Sequence, residues 1–299
     1  MAEDAPLVGM KRKRGERGRA QATLNLIETS RKIIELCQPI TVRGVCYKLF
    51  VAGEIDSMAL KNTQKISRKL TQAREEGIIP WEWIVDESRQ LEWIPAYSNL
   101  AAYGEMVARE YRRDFWADQD YSITIVSEKA TVAGVLRPLL DSHGINFFAA
   151  HGFNSATKIY DLAKQVQSDR RQWIFLYVGD YDPSGMAMSD YDFTDRLHRY
   201  GAKDFKFKRI ALIKNDTAKL PPFVAKSQDS RYAEYRKKYG EKAWELDAMD
   251  PVELRQRVAA HIDKYIDRDA WKRHKIVEEA ERQTTERVAA LFNTSDSKS

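Results

Sequence analysis

Cysteine is nearly missing from this 299-residue chain, which holds only Cys37 and Cys46. No disulfide framework and no cysteine-rich zinc site can be built from two thiols, so a reducing compartment is expected. Histidine is scarce too, and His143, His151, His198, His261 and His274 fall at no metal-ligand spacing. No apolar run approaches the ~20 residues a bilayer crossing needs. No apolar stretch follows the charged N-terminus, as a secretory signal would require. No Gly-rich Walker loop is present, and no internal repeat is found. The expectation is a cytoplasmic protein that does not enter membranes and has no nucleotide triphosphatase of its own.

The composition that remains suits a folded, mildly basic protein. Hydrophobic residues make up 43%, enough for one large or two ordinary domains. Lys plus Arg number 49 against 44 Asp plus Glu, a net charge of +5. That balance leans toward a polyanionic partner, and an ordinary basic surface accounts for it equally well.

The pattern changes along the chain. Residues 1–20 are polar, with Lys11, Arg12, Lys13, Arg14, Arg17 and Arg19 around two glycines. They read as a basic arm, either solvated or laid on nucleic-acid phosphates. Residues 21–37 predict an amphipathic helix burying Leu24, Ile27, Ile33, Ile34 and Leu36, stopped by Pro39. A second helix is expected from Thr41 as N-cap through Arg43, Tyr47 and Leu49, with Gly53 past its end. A third covers about 62–75, with Ile66 and Leu70 inward and Lys65, Arg68, Lys69 and Arg74 as a basic face, closed by Gly77. Ile78 to Asp86 alternates like a strand, with Trp81 and Trp83 as packing residues. Three short helices and a ribbon over 21–95 predict a winged helix-turn-helix, whose third helix enters the major groove of duplex DNA.

Residues 96–120 read as a helical linker. From 121 to 250, strands and helices alternate: strands at 121–126, 146–150, 173–178 and 205–212, helices at 130–142, 155–167 and 186–200. Such alternation predicts a mainly parallel sheet in an α/β domain. Helices at about 251–266 and 269–291 form a C-terminal extension, followed by a polar tail at 292–299.

The chemistry is concentrated at strand ends. The strand at 121–126 runs into Val126-Ser127-Glu128-Lys129, and the strand at 173–178 into Gly179-Asp180-Tyr181-Asp182-Pro183-Ser184-Gly185. Ligands of open α/β sheets collect outside the carboxyl ends of strands. If the third strand of the domain lies beside its first, Glu128, Asp180 and Asp182 converge there. Such a trio suits Mg²⁺, a hard cation that keeps waters for a phosphate. Lys129 either neutralises a DNA phosphate or pairs with an acid.

A strand ending in Glu, then a later one ending in Asp-x-Asp-x-x-Gly, resembles the Toprim domain of topoisomerases, primases and some nucleases. Pro183 within Asp180-Tyr181-Asp182-Pro183-Ser184-Gly185 narrows the likeness to the A subunit of topoisomerase VI and its meiotic double-strand-break relatives. His151-Gly152-Phe153-Asn154-Ser155-Ala156-Thr157 is similar to that family's glycine-containing loop and helix, and Glu245-Leu246-Asp247-Ala248-Met249 to an acidic-apolar stretch further on. The family also carries a winged helix whose tyrosine nucleophile follows an arginine by four residues, the spacing of Arg43 and Tyr47. The resemblance covers roughly 20–250. It departs at Cys46, where the family often has a second tyrosine, and in the short chain, which is similar to the compact stand-alone bacterial and mobile-element forms.

The resemblance implies Mg²⁺-dependent cleavage of double-stranded DNA by transesterification. Tyr47 would be the nucleophile, Arg43 its cationic partner, and Glu128, Asp180 and Asp182 the metal ligands. It further implies a homodimer in which the phenol of one subunit meets the metal of the other, and a separate ATP-binding B-type subunit. A tyrosine with an ordinary pKa near 10 needs activation. Arg43 and Tyr47, at i and i+4 on one helical face, offer a cation for the phenolate and the phosphate. Two other readings stay open. One is a Toprim nuclease in which water attacks and Tyr47 is structural. The other is a non-enzymatic winged-helix DNA-binding protein, such as a plasmid or phage maintenance factor.

Overall fold

A computed structural model describes residues 21–85, 94–150 and 156–295. The basic arm, the end of the expected ribbon, His151–Ser155 of the glycine-containing loop and the last four residues lie outside this set.

The N-terminal unit begins with α1 (Gln21–Cys37), a two-residue strand β1 (Ile40–Thr41), α2 (Val42–Val51) and α3 (Leu60–Glu75). A short 3-10 turn at Trp81–Trp83 leads to β2 (Ile84–Val85), which pairs with β1 in parallel. The expected strand from Ile78 is therefore reduced to two residues. Pro80 and the tight turn at Trp81 interrupt it. The inner face of α1 also differs from expectation. Ile27 and Ile34 are buried with Ser30 and Cys37, while Leu36 is 83% exposed and Leu24 points outward. The 27-30-34-37 stripe follows the helical period once the small Ser30, whose hydroxyl donates to Leu26 O at 2.7 Å, is counted as an inward residue. Thr41 caps α2 as predicted, its hydroxyl accepting from Gly44 N at 2.9 Å. Ile66 and Leu70 enter the same core.

Next come α4 (Leu100–Glu110), β3 (Tyr121–Ser127), α5 (Thr131–His143), β4 (Asn146–Ala149), α6 (Ala156–Ser168) and β5 (Gln172–Val178). α7 (Pro183–Ala187) runs through a π-helical turn at Met188–Asp192 into α8 (Phe193–Arg199), followed by β6 (Phe205–Ala211). Four strands form one parallel sheet in the order β4-β3-β5-β6. The third strand of the domain thus lies beside the first. The apolar run of β5, and the burial of β3 from Ser122 to Ser127, follow from having both faces covered. On β5, Ile174, Leu176 and Val178 face one core with Leu136 of α5, while Trp173, Phe175 and Tyr177 face another with Ala163 of α6 and Phe193 of α8.

The chain closes with β7 (Phe223–Val224), α9 (Tyr232–Tyr239), β8 (Lys242–Ala243), α10 (Pro251–Ile262) and α11 (Arg268–Ser295). α10 covers the first face of the sheet through Leu254 and Val258. Arg255 of α10 ties the two units together, donating to Gln38 O at 2.9 Å, Val135 O at 3.2 Å and Pro39 O at 3.3 Å. The segment expected as a helical linker contains α4. α4 packs antiparallel on α11, with Gly104 against Phe292 and Arg113 Nη1 paired to Glu281 at 2.8 Å. Among the described residues no helix is long and apolar enough to cross a membrane.

Candidate functional site

The strand ends place the acids close together. Glu128 and Asp180 follow the adjacent β3 and β5, and Asp182 N-caps α7, its Oδ1 accepting from Gly185 N at 2.8 Å with Pro183 at the first helical position. The cap explains why the helix starts three residues earlier than its apolar pattern indicates. Gly185 is required at its position. A Cβ there would meet the backbone carbonyl of Asp180, so only glycine lets the loop curl back under the acids.

Each carboxylate has a protein partner. Glu128 Oε2 accepts from Ser184 Oγ at 3.1 Å, and Ser184 Oγ in turn accepts from Arg231 Nη1 at 2.9 Å. Asp180, 6% exposed, accepts from Leu246 N at 2.8 Å and receives the Lys129 ammonium at 2.8 Å. Lys129 also reaches Asp247 at 3.2 Å. Of the two partners open to Lys129, a DNA phosphate or an acid, the described contacts are with acids, Asp180 and Asp247. Among the described residues no three carboxylate, imidazole or thiol groups converge as a ready-made metal site.

Burial and like charge raise two of the three acids. Burial pushes the Glu128 carboxyl up to about 7, and repulsion from Asp182 and Asp180 adds to it. Burial likewise raises Asp180 to about 6, against the Lys129 ammonium, which opposes it, and with Asp182, which reinforces it. Lys129 moves upward as well. Burial disfavours its charge, but the carboxylates of Asp180 and Asp247 more than offset that cost and hold it as an ammonium. Both members of this pair rise, and the cationic state of Lys129 decides the site, because two carboxylates share it. Asp180 is buried while Glu128 and Asp182 are half-buried, and carboxylate oxygens are the hard ligands Mg²⁺ takes, so the residue types at Glu128, Asp180 and Asp182 are compatible with that ion.

Tyr47 and Arg43 lie on the same side of the molecule. Arg43 forms a close two-point ion pair with Glu245, and its guanidinium carbon lies 5.8 Å from the centre of the Tyr47 ring. Arg43 remains fully cationic: burial opposes this, and Glu245 outweighs it. Tyr47 is only 4% exposed. Burial, reinforced by Glu245 and opposed by Arg43, raises its phenol above the ordinary tyrosine value. The adjacent Cys46 is buried, which pushes its thiol up to about 11 and leaves it a packing residue.

The segment from Glu245 to Asp250 joins the two sets of groups. Glu245 holds Arg43, Asp247 accepts from Thr41 Oγ1 at 2.6 Å while facing Lys129, and Asp250 pairs with Lys48. Backbone bonds between Tyr181 and Trp244, at 2.8 and 2.9 Å, bring this segment beside Asp180. The Glu-Leu-Asp spacing was visible in the sequence, but its partners were not, because they come from distant parts of the chain.

Two further residues position the acid loop. Arg209 of β6 donates to Leu212 O at 3.0 Å, Gly179 O at 3.1 Å, Asp180 O at 3.2 Å and Gly185 O at 2.5 Å, clamping the loop from behind. Arg231 does so through Ser184. No local pattern marks either, since each is a lone arginine in a basic stretch. On α3, Lys65 and Arg68 are exposed. Lys69 bonds Thr23 Oγ1 at 2.6 Å, and Arg74 stacks over Trp81 at 4.2 Å while donating to Trp81 O at 2.9 Å. The expected basic face therefore divides into two open cations and two that hold the unit together.

No protein-family model matches the chain, and no curated protein or solved structure matches it significantly.

Proposed function

We propose that this protein cleaves double-stranded DNA by transesterification through Tyr47, as a homodimer with Mg²⁺, in the manner of the topoisomerase VI A subunit it resembles. The single observation that carries the reading is that one short segment holds both sets of groups: Glu245 pairs with Arg43, beside Tyr47, while Leu246 N and Asp247 reach Asp180 and Lys129, next to Glu128. Titratable groups whose pKa values are shifted by burial and by specific charged neighbours mark a candidate functional site. On this reading α1 to α3 with β1 and β2 form the winged helix-turn-helix, and Lys65 and Arg68 meet the DNA backbone. A B-type ATPase would be a separate chain.

In the chemistry, Tyr47 Oη attacks the scissile phosphorus, the P–O3′ bond breaks, and a 5′ phosphotyrosyl ester forms. The phenol proton leaves as the new bond forms, with Glu245 as the nearby acceptor. The departing 3′ oxygen takes up a proton from solvent water, and Glu245 later returns its proton to the solvent. Arg43 stabilises the phenolate and the developing charge on the phosphate. Glu128, Asp180 and Asp182 would hold Mg²⁺, which supplies electrophilic stabilisation of the phosphate oxygens.

The burial of Tyr47 favours a second reading, a Toprim nuclease in which water attacks and Tyr47 is structural. Incubation with supercoiled plasmid and Mg²⁺, stopped with detergent, separates the two. Transesterification leaves nicked or linear DNA that enters a gel only after protease treatment, and Tyr47→Phe abolishes it. Undiminished cutting by Tyr47→Phe, with free ends and loss in Asp180→Ala, supports the nuclease. Mg²⁺-independent binding without any nicking sinks both and leaves a DNA-binding protein.

A further inference from the structure

Tyr177 carries a polar group that the chemistry above leaves unused. Its side chain is fully buried on β5, and among the described residues its hydroxyl has no hydrogen-bond partner. An unpaired buried donor is costly, so each such case calls for an explanation. The ring is held firmly by its neighbours. The Arg209 guanidinium carbon lies 4.7 Å from its centre, and the Phe207 ring centre lies 5.7 Å away.

The sheet register brings this hydroxyl to the acid cluster. Val126 of β3 pairs with Tyr177 of β5, and both face the core shared with α6 and α8. Side chains alternate along a strand, so Glu128, two residues beyond Val126, belongs to that same face. The Tyr177 ring runs toward the carboxyl end of β5, where Gly179 leaves it room: a Cβ on Gly179 would stand 2.5 Å from the hydroxyl. The hydroxyl is therefore level with Gly179, the position that lies opposite Glu128 when the register is continued by two residues. Burial, reinforced first by Glu128 and opposed by Arg209, raises the phenol well above the ordinary tyrosine value, so it stays a donor. Glu128 has an oxygen to spare. Ser184 Oγ donates to its Oε2 at 3.1 Å, and no described group donates to Oε1.

We infer that Tyr177 is a positioning residue for the metal-holding acids: its hydroxyl donates to the Glu128 carboxylate when that group binds Mg²⁺, and so fixes its orientation. This inference rests on the reading of Glu128, Asp180 and Asp182 as Mg²⁺ ligands and adds the group that orients the first of them. Ligating carboxylates are themselves hydrogen-bonded, and loss of such a partner weakens metal binding about 10- to 100-fold.

The test reads Mg²⁺ affinity on the full chain without DNA, from the rise in urea midpoint with Mg²⁺ concentration above an EDTA baseline. Tyr177→Phe keeps the ring and deletes the hydroxyl. It is expected to need about tenfold more Mg²⁺ for the same rise, while its midpoint in EDTA is at or above that of wild type, because an unpaired buried group has gone. A tyrosine that only packs would show the second effect without the first. Thr124→Val is the control. Thr124 carries another buried hydroxyl without a partner, further back on β3, and its loss should leave the Mg²⁺ response unchanged. An unchanged response in Tyr177→Phe overturns the positioning role and leaves the metal site standing. An equal loss in Thr124→Val overturns it too, as does a lowered Tyr177→Phe midpoint in EDTA, which would show the hydroxyl already bonded. Wild type that gains nothing from Mg²⁺ overturns both the role and the metal-dependent reading. Covalent adducts on supercoiled plasmid are scored separately: a weakened Mg²⁺ response in Tyr177→Phe, with no adducts from wild type, refutes transesterification while the positioning role stands.

Discussion

Replacing Glu128 by Gln should make the metal-free protein more stable. The carboxyl of Glu128 is pushed from its usual 4.5 up to about 7 by burial and by its acidic neighbours. The folded state therefore resists ionisation that the unfolded chain accepts. Below pH 4.5 the group is protonated in both states and contributes nothing. Between pH 4.5 and 7 the unfolded chain releases the proton more readily, so stability falls as pH rises, and above pH 7 the full penalty persists. At 1.36 kcal/mol per pH unit the penalty is about 3 kcal/mol, reduced to roughly 2 by the partial exposure of the side chain. Gln keeps the acceptor for Ser184 and removes the charge. Urea unfolding in EDTA should give a variant that matches wild type near pH 4.5 and exceeds it by about 2 kcal/mol at pH 8. Added Mg²⁺ should narrow the gap by stabilising wild type more than the variant. A variant equal to or weaker than wild type at pH 8 would refute the claim that this carboxylate is held under electrostatic strain.

Other substitutions probe the scaffold. Arg209→Met removes a clamp on four carbonyls behind the acid loop; a loss of about 3 kcal/mol is expected in chemical unfolding, with DNA cutting lost under conditions where the protein remains folded. Gly185→Ala drives a methyl into the Asp180 carbonyl and should cost at least about 2 kcal/mol, read as a lowered melting temperature, whereas Ser184→Ala should cost under about 1 kcal/mol. Arg255→Met leaves the carbonyls around Pro39 unpaired, and limited proteolysis should then release the α1–α3 unit faster than from wild type.

Much of the fold could be read locally. The β5 run from Trp173 to Val178 is continuous in apolar residues because helices cover both faces, and Gly53, Gly77 and Gly144 stand at helix ends where a positive φ is needed. The α1 stripe was misread because a serine that bonds its own backbone passes as a surface residue. The ribbon after α3 was overextended because Trp and Ile alternate through a 3-10 turn. At the candidate site, the placement of Glu128 and Asp180 at the ends of neighbouring strands follows from the strand pattern. The capture of Lys129 by Asp180 and Asp247, and of Arg43 by Glu245, does not, because each depends on pairing between segments far apart in the chain. Charge patterning identifies which residues are ionised without fixing the partner each one finds.

The stretch from Glu245 to Asp250 has two masters: its side chains hold α2, and its backbone holds Asp180. Neither half of the molecule can therefore be exchanged alone. A graft that brings in a foreign helical unit must bring groups that match Arg43, Lys48 and Thr41, or it will strand Glu245, Asp247 and Asp250 without those partners and loosen the acid loop from a distance.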